Sequence, residues 1–359
     1  SQQRAAEEAG RLAAIKAGMD EEARAAVIRQ AQQLAERQQQ VDDESILPKV
    51  ELSDVPASLP ELSFREQQHK GVLTTTYGQG TNGLVYQQAI AALPAVAAQD
   101  MPQQPLYTHM LTELGLGADD YLEAQHRQSA TVGAINAFTS MRGAVNDEQA
   151  ISSYFVLSSK ALLRNADQQA QLMHDTLRTV RFDETGRIRE LVSQQRARRD
   201  QSITGNGHGL AMAAACAGMS PLAKLNHELS GLAGIRSLRR LDESLADEAA
   251  LTGFATALDS LHASIKASPY QLLVVAENHK VAEVAASAAA VWATDTAIKP
   301  AADFTLSPCR ERRGEFWITN TQVNFCARAY PTVPVQHPDA AALTVLGGFL
   351  RNGFLHRAI

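Results

Sequence analysis

Cysteine is scarce: Cys216, Cys309 and Cys326 are the only ones in 359 residues, an odd number with no close-spaced pair. That fits a reducing compartment better than a disulfide framework. No uninterrupted apolar run approaches the roughly 20 residues that a membrane-spanning helix requires. The first residues are rich in Gln, Ala and Glu, so they match neither a signal peptide nor an Arg-rich, acid-poor transit peptide, and the expected location is cytoplasmic. Basic charge is also lacking. A formal charge of -6 argues against nucleic acid or an anionic membrane as the main partner. The 45% hydrophobic content is that of an ordinary globular protein.

The chemistry-bearing motifs are missing as well. Zinc on a helix needs two imidazoles about a turn apart with an acid nearby, yet no two of the 10 histidines lie within five residues. His109 and Glu113 stand one turn apart, as do His279 and Glu283. A single His–Glu pair of this spacing reads as a packing or surface pair. Gly78, Gly80 and Gly83 fit the dinucleotide fingerprint G-x-G-x-x-G. The residues after them, Leu84 to Ile90, continue as a strand and not as the helix a pyrophosphate needs, so a β-turn is expected. Arg187, Arg189, Arg196, Arg198 and Arg199 lack interleaved aromatics and are diluted by Glu190 and Asp200, which reads as a solvated helix face. Cys216, in the small-residue stretch 211–217, reads as a buried structural thiol. No nucleophile elbow, Walker loop or kinase signature occurs.

What is present is an alternation of helical and β-type segments, an α+β pattern. Residues 1–45 form two helical runs split at Gly18-Met19, with Asp20 placed to cap the second. Val27, Ala31, Leu34 and Ala35 give that second run a stripe too thin to make a core alone; a disordered linker is the alternative. A Pro-bearing strap covers 47–60. Strands are expected at 72–77, 84–90, 133–141, 152–157, 272–276 and 322–330, with 78–83 as a hairpin turn between the first two. Helices are expected at 101–114, 119–130, 166–179, through most of 187–263, at 281–293 and from 339 to the end. A weak echo links Thr81–Tyr86 and the helix after it to Thr321–Phe325 and its own following helix, suggesting a duplicated domain. The last residues, Leu355 to Ile359, fall inside an amphipathic helix without a cap, so a piece of a longer enzyme is expected.

Four segments carry a family resemblance. Leu47-Pro48-Lys49-Val50-Glu51-Leu52-Ser53-Asp54-Val55-Pro56 resembles the strap after the inter-half hinge of presequence-protease-type peptidases, a branch of the insulinase/pitrilysin superfamily of zinc peptidases. Thr81–Tyr86 with Leu111-Thr112-Glu113-Leu114-Gly115 is similar to that family's third-domain opening. Ser202 to Gly234 resembles its long helical stretch, and Gln322–Phe325 through His337–Ala341 to Ile359 its fourth-domain opening. The resemblance implies a clamshell of two halves, each with two homologous α+β domains. It implies a helical hairpin hinge at 1–45, an inactive peptidase-like third domain of antiparallel sheet and helices at 46–298, and the start of a truncated fourth domain at 299–359.

The family's zinc site, an inverted H-x-x-E-H with a distant Glu, belongs to the other, N-terminal half. By resemblance the helix with His109 and Glu113 is a degenerate copy of the zinc-binding helix. The Arg and Tyr that reach the substrate carbonyl lie past Ile359 in the family. No catalytic, cofactor-binding or metal-ligating residue is therefore assigned to this chain. The implied role is a non-catalytic chamber wall, inactive by itself, whose partners are the N-terminal catalytic half of the same polypeptide and unfolded peptides. There a zinc-bound water, in that other half, would cleave the peptide. The alternative is a stand-alone scaffold protein on an inactive peptidase fold.

Overall fold

The computed structural model describes residues 2–40, 44–58, 60–96, 101–293, 304–355 and 358. The chain divides into two compact units, Ser1–Glu61 and Leu62–Ile359. In the first, α1 (Gln2–Ala17) and α2 (Glu21–Gln39) follow one another across Gly18-Met19. The Asp20 carboxylate caps α2 by accepting from the Ala23 N–H at 2.7 Å, and the Arg24 guanidinium donates to the Lys16 carbonyl at 2.9 Å. No residue of α2 is buried, and Val27, Ile28 and Leu34 stand exposed. Leu52–Asp54 forms a short 3-10 turn in the strap, where the Asp54 carboxylate accepts from the Glu51 N–H at 2.9 Å.

The second unit is an α+β domain built on six strands: β1 (Arg65–His69), β2 (Val72–Gly78), β3 (Leu84–Ala92), β4 (Ala134–Gly143), β5 (Ile151–Leu162) and β6 (Gln271–Ala276). Their order is β1-β2-β6-β3-β5-β4. Every neighbouring pair is antiparallel except β2 and β6. The first hairpin is β1–β2, turned at Lys70 (φ 51°) and Gly71 (φ 86°), the positive φ pair that suits strand twist. The expected hairpin at 78–83 is thus corrected. β6 lies between β2 and β3, a partner supplied nearly two hundred residues later that local alternation cannot announce.

Alternation along the strands sets one face against helices. Val85, Gln87, Ala89 and Ala91 of β3 are buried, as are Phe155, Leu157, Ser159 and Ala161 of β5 and Leu272, Val274 and Ala276 of β6. Onto this face pack α5 (Ala166–Thr179), through Leu172, Met173 and Leu177, and α11 (Val281–Trp292), through Ala288, Ala289 and Trp292. The small residues of α11 let its backbone come close to the sheet, where Val284 and Ala285 meet Val274 and Ala276. Tyr86, Phe138 and Tyr154, on the opposite face, remain 39%, 42% and 42% exposed.

Between sheet segments run α3 (Gln104–Met110), α4 (Tyr121–Thr131), and then α6 (Thr185–Gly205), α7 (Gly207–Cys216), α8 (Pro221–Ser230), α9 (Leu232–Ser244) and α10 (Glu248–Lys266). The Gly-Asn-Gly break separates α6 from α7 at Asn206, and a Cβ at Gly207 would collide with the Phe325 ring. Ser220 caps α8, accepting from the Ala223 N–H at 3.1 Å with Pro221 at the first position.

From Phe304 to Asp339 the described residues form no strand or helix, which corrects the strand expected at 322–330. It pairs with neither edge strand of the sheet, β1 nor β4. The segment is instead tied down piecemeal: the Phe304 N–H to the Leu93 carbonyl (3.0 Å), the Glu311 N–H to the Gly218 carbonyl (2.8 Å), the Gln336 N–H to the Val145 carbonyl (2.8 Å). A polar clasp also holds it. The buried His227 imidazole lies 3.3 Å from the Glu315 carboxylate, which also takes the Trp317 indole N–H at 2.7 Å and Arg313 at 2.8 Å. Arg236 covers the Trp317 ring at 4.7 Å. Trp317→Ala removes the cation–π and hydrogen-bond contacts together, so cleavage between 310 and 330 in limited proteolysis is expected to speed up about tenfold. An unchanged cleavage rate would show that the clasp does not hold the segment. α12 (Ala340–Phe349) and a π-helical turn, Leu350–Leu355, follow with no buried residue.

Candidate functional site

A 3-10 turn at Met101–Gln103 leads into α3, with Pro105 in its first turn, where a missing N–H costs nothing. His109 lies near the end of that helix and Glu113 just beyond it. The His109 Nε2 is buried without a hydrogen-bond partner. Burial holds its imidazole below the ordinary pKa; Glu113 pulls the other way, while Arg198 and Arg187 add to the lowering. Glu113 is already engaged. Its Oε2 accepts from Arg187 at 3.0 Å and from the Gln125 amide at 2.9 Å. Arg187 in turn donates to Glu190 at 2.9 Å and stacks over the Tyr121 ring at 4.5 Å.

This arrangement does not fit a zinc ion. One ligand type is present as a neutral imidazole, but the carboxylate beside it is clamped by a guanidinium. Among the described residues no group of three or more His, Cys, Asp or Glu is arranged to hold a metal. The second pair fares no better. His279 is an exposed turn residue before α11, not a helical one, and Glu283 bonds Lys280 at 2.8 Å.

The glycine loop is occupied by the protein's own acid. Glu277 Oε1 accepts from the N–H groups of Thr81 (3.0 Å) and Gly83 (3.4 Å), and Asn82 and Gly83 take positive φ of 52° and 78°. A phosphate would meet a resident carboxylate there, and the strand β3 begins at once at Leu84.

The arginine run is not the solvated face expected of it. The Arg187 side chain is 11% exposed, Arg196 donates to Asp242 at 2.7 Å, and Arg199 donates to the Ser230 carbonyl at 3.2 Å. Each also reaches an acceptor on another element, so these arginines knit α6 to the α3 end, α8 and α9; Arg189 and Arg198 do stay exposed. Cys216 is only partly buried, a correction to its reading as a core thiol, whereas Cys309 is buried and Cys326 exposed. Sequence reasoning missed Glu277 and the His227–Glu315 contact. Both are long-range pairings that no local pattern announces.

The chain as a whole matches known proteins. A family described as associated with peptidase M16, subfamily C, matches residues 1–241, more than half of the chain. The mitochondrial presequence protease of Xenopus tropicalis is 24% identical over 98% of this chain and 37% of that protein. That of Danio rerio is 26% identical over 91% of this chain and 34% of that protein. The chloroplastic/mitochondrial presequence protease 1 of Arabidopsis thaliana is 24% identical over 73% of this chain and 24% of that protein. The chain thus spans little more than a third of the length of the first two curated relatives. A solved peptidase M16 inactive domain from Pseudomonas fluorescens overlays with a TM-score of 0.42 at 15% identity, covering 69% of this chain and 54% of that one, a likeness too slight to build on.

These relatives overturn the cytoplasmic expectation, since they are proteins of mitochondria and chloroplasts. The physical reason is plain: a reducing organelle matrix leaves the same sparse, unpaired cysteines as the cytosol. The family resemblance drawn from the strap, the Thr81 segment and the helical stretch holds, and this chain belongs to the family associated with the subfamily C peptidases of M16.

Proposed function

We propose that this chain is the non-catalytic half of a presequence-protease-type metalloendopeptidase, forming the wall of a closed chamber around unfolded peptides. The observation that carries the reading is a peptidase-family chain whose His109–Glu113 pair has its carboxylate locked to Arg187. The sheet supports it. One face is filled by helices, and the other leaves Tyr86, Phe138 and Tyr154 partly open, a surface able to receive extended apolar peptide.

In this reading residues 1–45 are the hinge, 46–298 the inactive third domain, and 299–359 the opening of a fourth domain. The last assignment draws on a run of uncovered apolar side chains. Phe316 and Ile318 are fully exposed, and Val335, Val345, Phe349 and Phe354 stand out from an α12 region with nothing buried. Surfaces of that kind are covered in a finished domain. Zinc belongs to the other half, and this chain contributes enclosure: it excludes water and limits the size of what enters.

Fragment complementation tests the proposal. A separately produced N-terminal half is mixed with this chain, and with a version extended past Ile359, while cleavage of a quenched unstructured peptide is followed. Activity is expected only with the extended version, and a chelator should abolish it. Absence of association between the halves would sink the reading and leave a scaffold role.

A further inference from the structure

The sheet face turned away from α5 and α11 is nearly free of charge. Strand register places only three charged side chains of the six strands on it: Glu66 of β1, Lys160 of β5 and Arg142 of β4. Glu66, on the edge strand β1, accepts from the Thr75 hydroxyl at 3.4 Å. Lys160 and Arg142 are exposed, and neither forms an ion pair among the described residues. The acids of the loop beside Arg142 are engaged elsewhere. Glu148 pairs with Arg310 at 2.7 Å, and the Asp147 carboxylate accepts from the Gln149 N–H at 2.9 Å. The chain as a whole carries a formal charge of -6, so two uncompensated cations on one face are a local property.

The two cations stand at opposite ends of the β4–β5 pair. Arg142 pairs with Ser152, eight residues before Lys160 on β5, which at about 3.3 Å per residue is ~26 Å. Aromatic rings lie along this line. Tyr86 pairs with Lys160 at one end, Phe138 with Val156 midway, and Tyr154 lies two residues from Ser152 at the other. A ligand that uses both cations must be anionic at two points about 26 Å apart and apolar between them. An extended peptide turns every second side chain to one side, so two acids eight residues apart share a side and span the same distance. Acids seven apart would point to opposite sides.

We propose that this face binds an extended peptide with two acidic side chains eight residues apart, one at Lys160 and one at Arg142, and apolar side chains over Phe138 and Tyr154 between them. The proposal rests on the reading that extended peptide reaches this face, and it names the class of peptide.

Fluorescence anisotropy of the full chain with dye-labelled synthetic peptides tests this. The probe is an eleven-residue peptide with glutamate at its second and tenth positions, valine at the fourth, sixth and eighth, and serine elsewhere. Exposed ion pairs are individually weak, so the two together should make it bind about tenfold more tightly than a counterpart with glutamine at both ends. Moving one glutamate a single residue inward should weaken binding about threefold. Lys160→Glu and Arg142→Glu should each cost about tenfold for the diacidic peptide. A peptide with lysine at one end and glutamate at the other should restore binding to either variant, which a merely structural effect would not do. Circular dichroism on both variants checks the fold. Equal affinity for acids seven and eight apart, equal or tighter binding of glutamine or dilysine peptides, or no binding at all would overturn the proposal. Diacidic binding without association of the two halves would sink the chamber reading alone. Association with cleavage indifferent to peptide charge would sink this one alone.

Discussion

Lowering the pH from 7 to 4 is expected to cost the folded chain about 3 kcal/mol through His262 alone. His262 is buried on α10, with its Nδ1 against the Tyr107 hydroxyl at 3.0 Å and its ring beside Phe182. Burial holds its pKa down to about 4 against 6.5 for a free imidazole, with Lys266 and Arg178 adding to the shift. Above pH 7 the ring is neutral in both the folded and the unfolded chain, so it contributes nothing to the pH dependence. As the pH falls below 6.5 the unfolded chain takes up the proton first, and stability drains away until about pH 4, where the folded form follows. The measurement is the urea midpoint between pH 7.5 and 4 for the wild type and for His262→Leu combined with Tyr107→Phe. The double change removes the imidazole without stranding the tyrosine hydroxyl. Its profile should be flatter by that amount, and parallel profiles would show that His262 titrates normally.

Arg187→Ala is the second large effect expected, a loss of about 2–3 kcal/mol in unfolding free energy. The guanidinium joins three elements at once, through Glu113, Glu190 and Tyr121. Its removal leaves Glu113 partly buried beside only a glutamine amide, and that carboxylate's desolvation is then uncompensated. The size is held below that of a fully buried pair because Glu113 keeps a third of its side-chain surface in water. A double-mutant cycle with Glu113→Gln isolates the pair: the second substitution should cost less in the Arg187→Ala background than in the wild type. Strict additivity would mean that the two side chains do not interact. The experiment also bears on function, because this pair is what keeps the position next to His109 from offering a free carboxylate.

The helix α5 runs from Ala166 to Thr179, the bounds its own composition announces, and Asp20 marks a helix start that a local reading finds. Such features depend on residues three or four apart, so the chain reports them directly. The same holds for the β-type runs at 72–77, 84–90 and 272–276, and for the spacing of His109 and Glu113. The family, too, was legible, because the strap and the Thr81 segment preserve order as well as composition.

Other features needed the folded chain. β6 inserts between β2 and β3, so the glycine loop does not turn a hairpin but wraps a carboxylate from Glu277. Residues 322–330 have the composition of a strand but pair with none among the described residues, and a strand exists only by pairing with another. Arg187 reaches Glu113 across 74 residues, and Glu315 meets His227 from another segment altogether. The sequence by itself determined the local elements, the α+β class and the family, all of which rest on short-range periodicity or on aligned motifs. Only the tertiary structure decided strand order, which charges are quenched and which stay open, because each depends on groups far apart in the chain meeting in space.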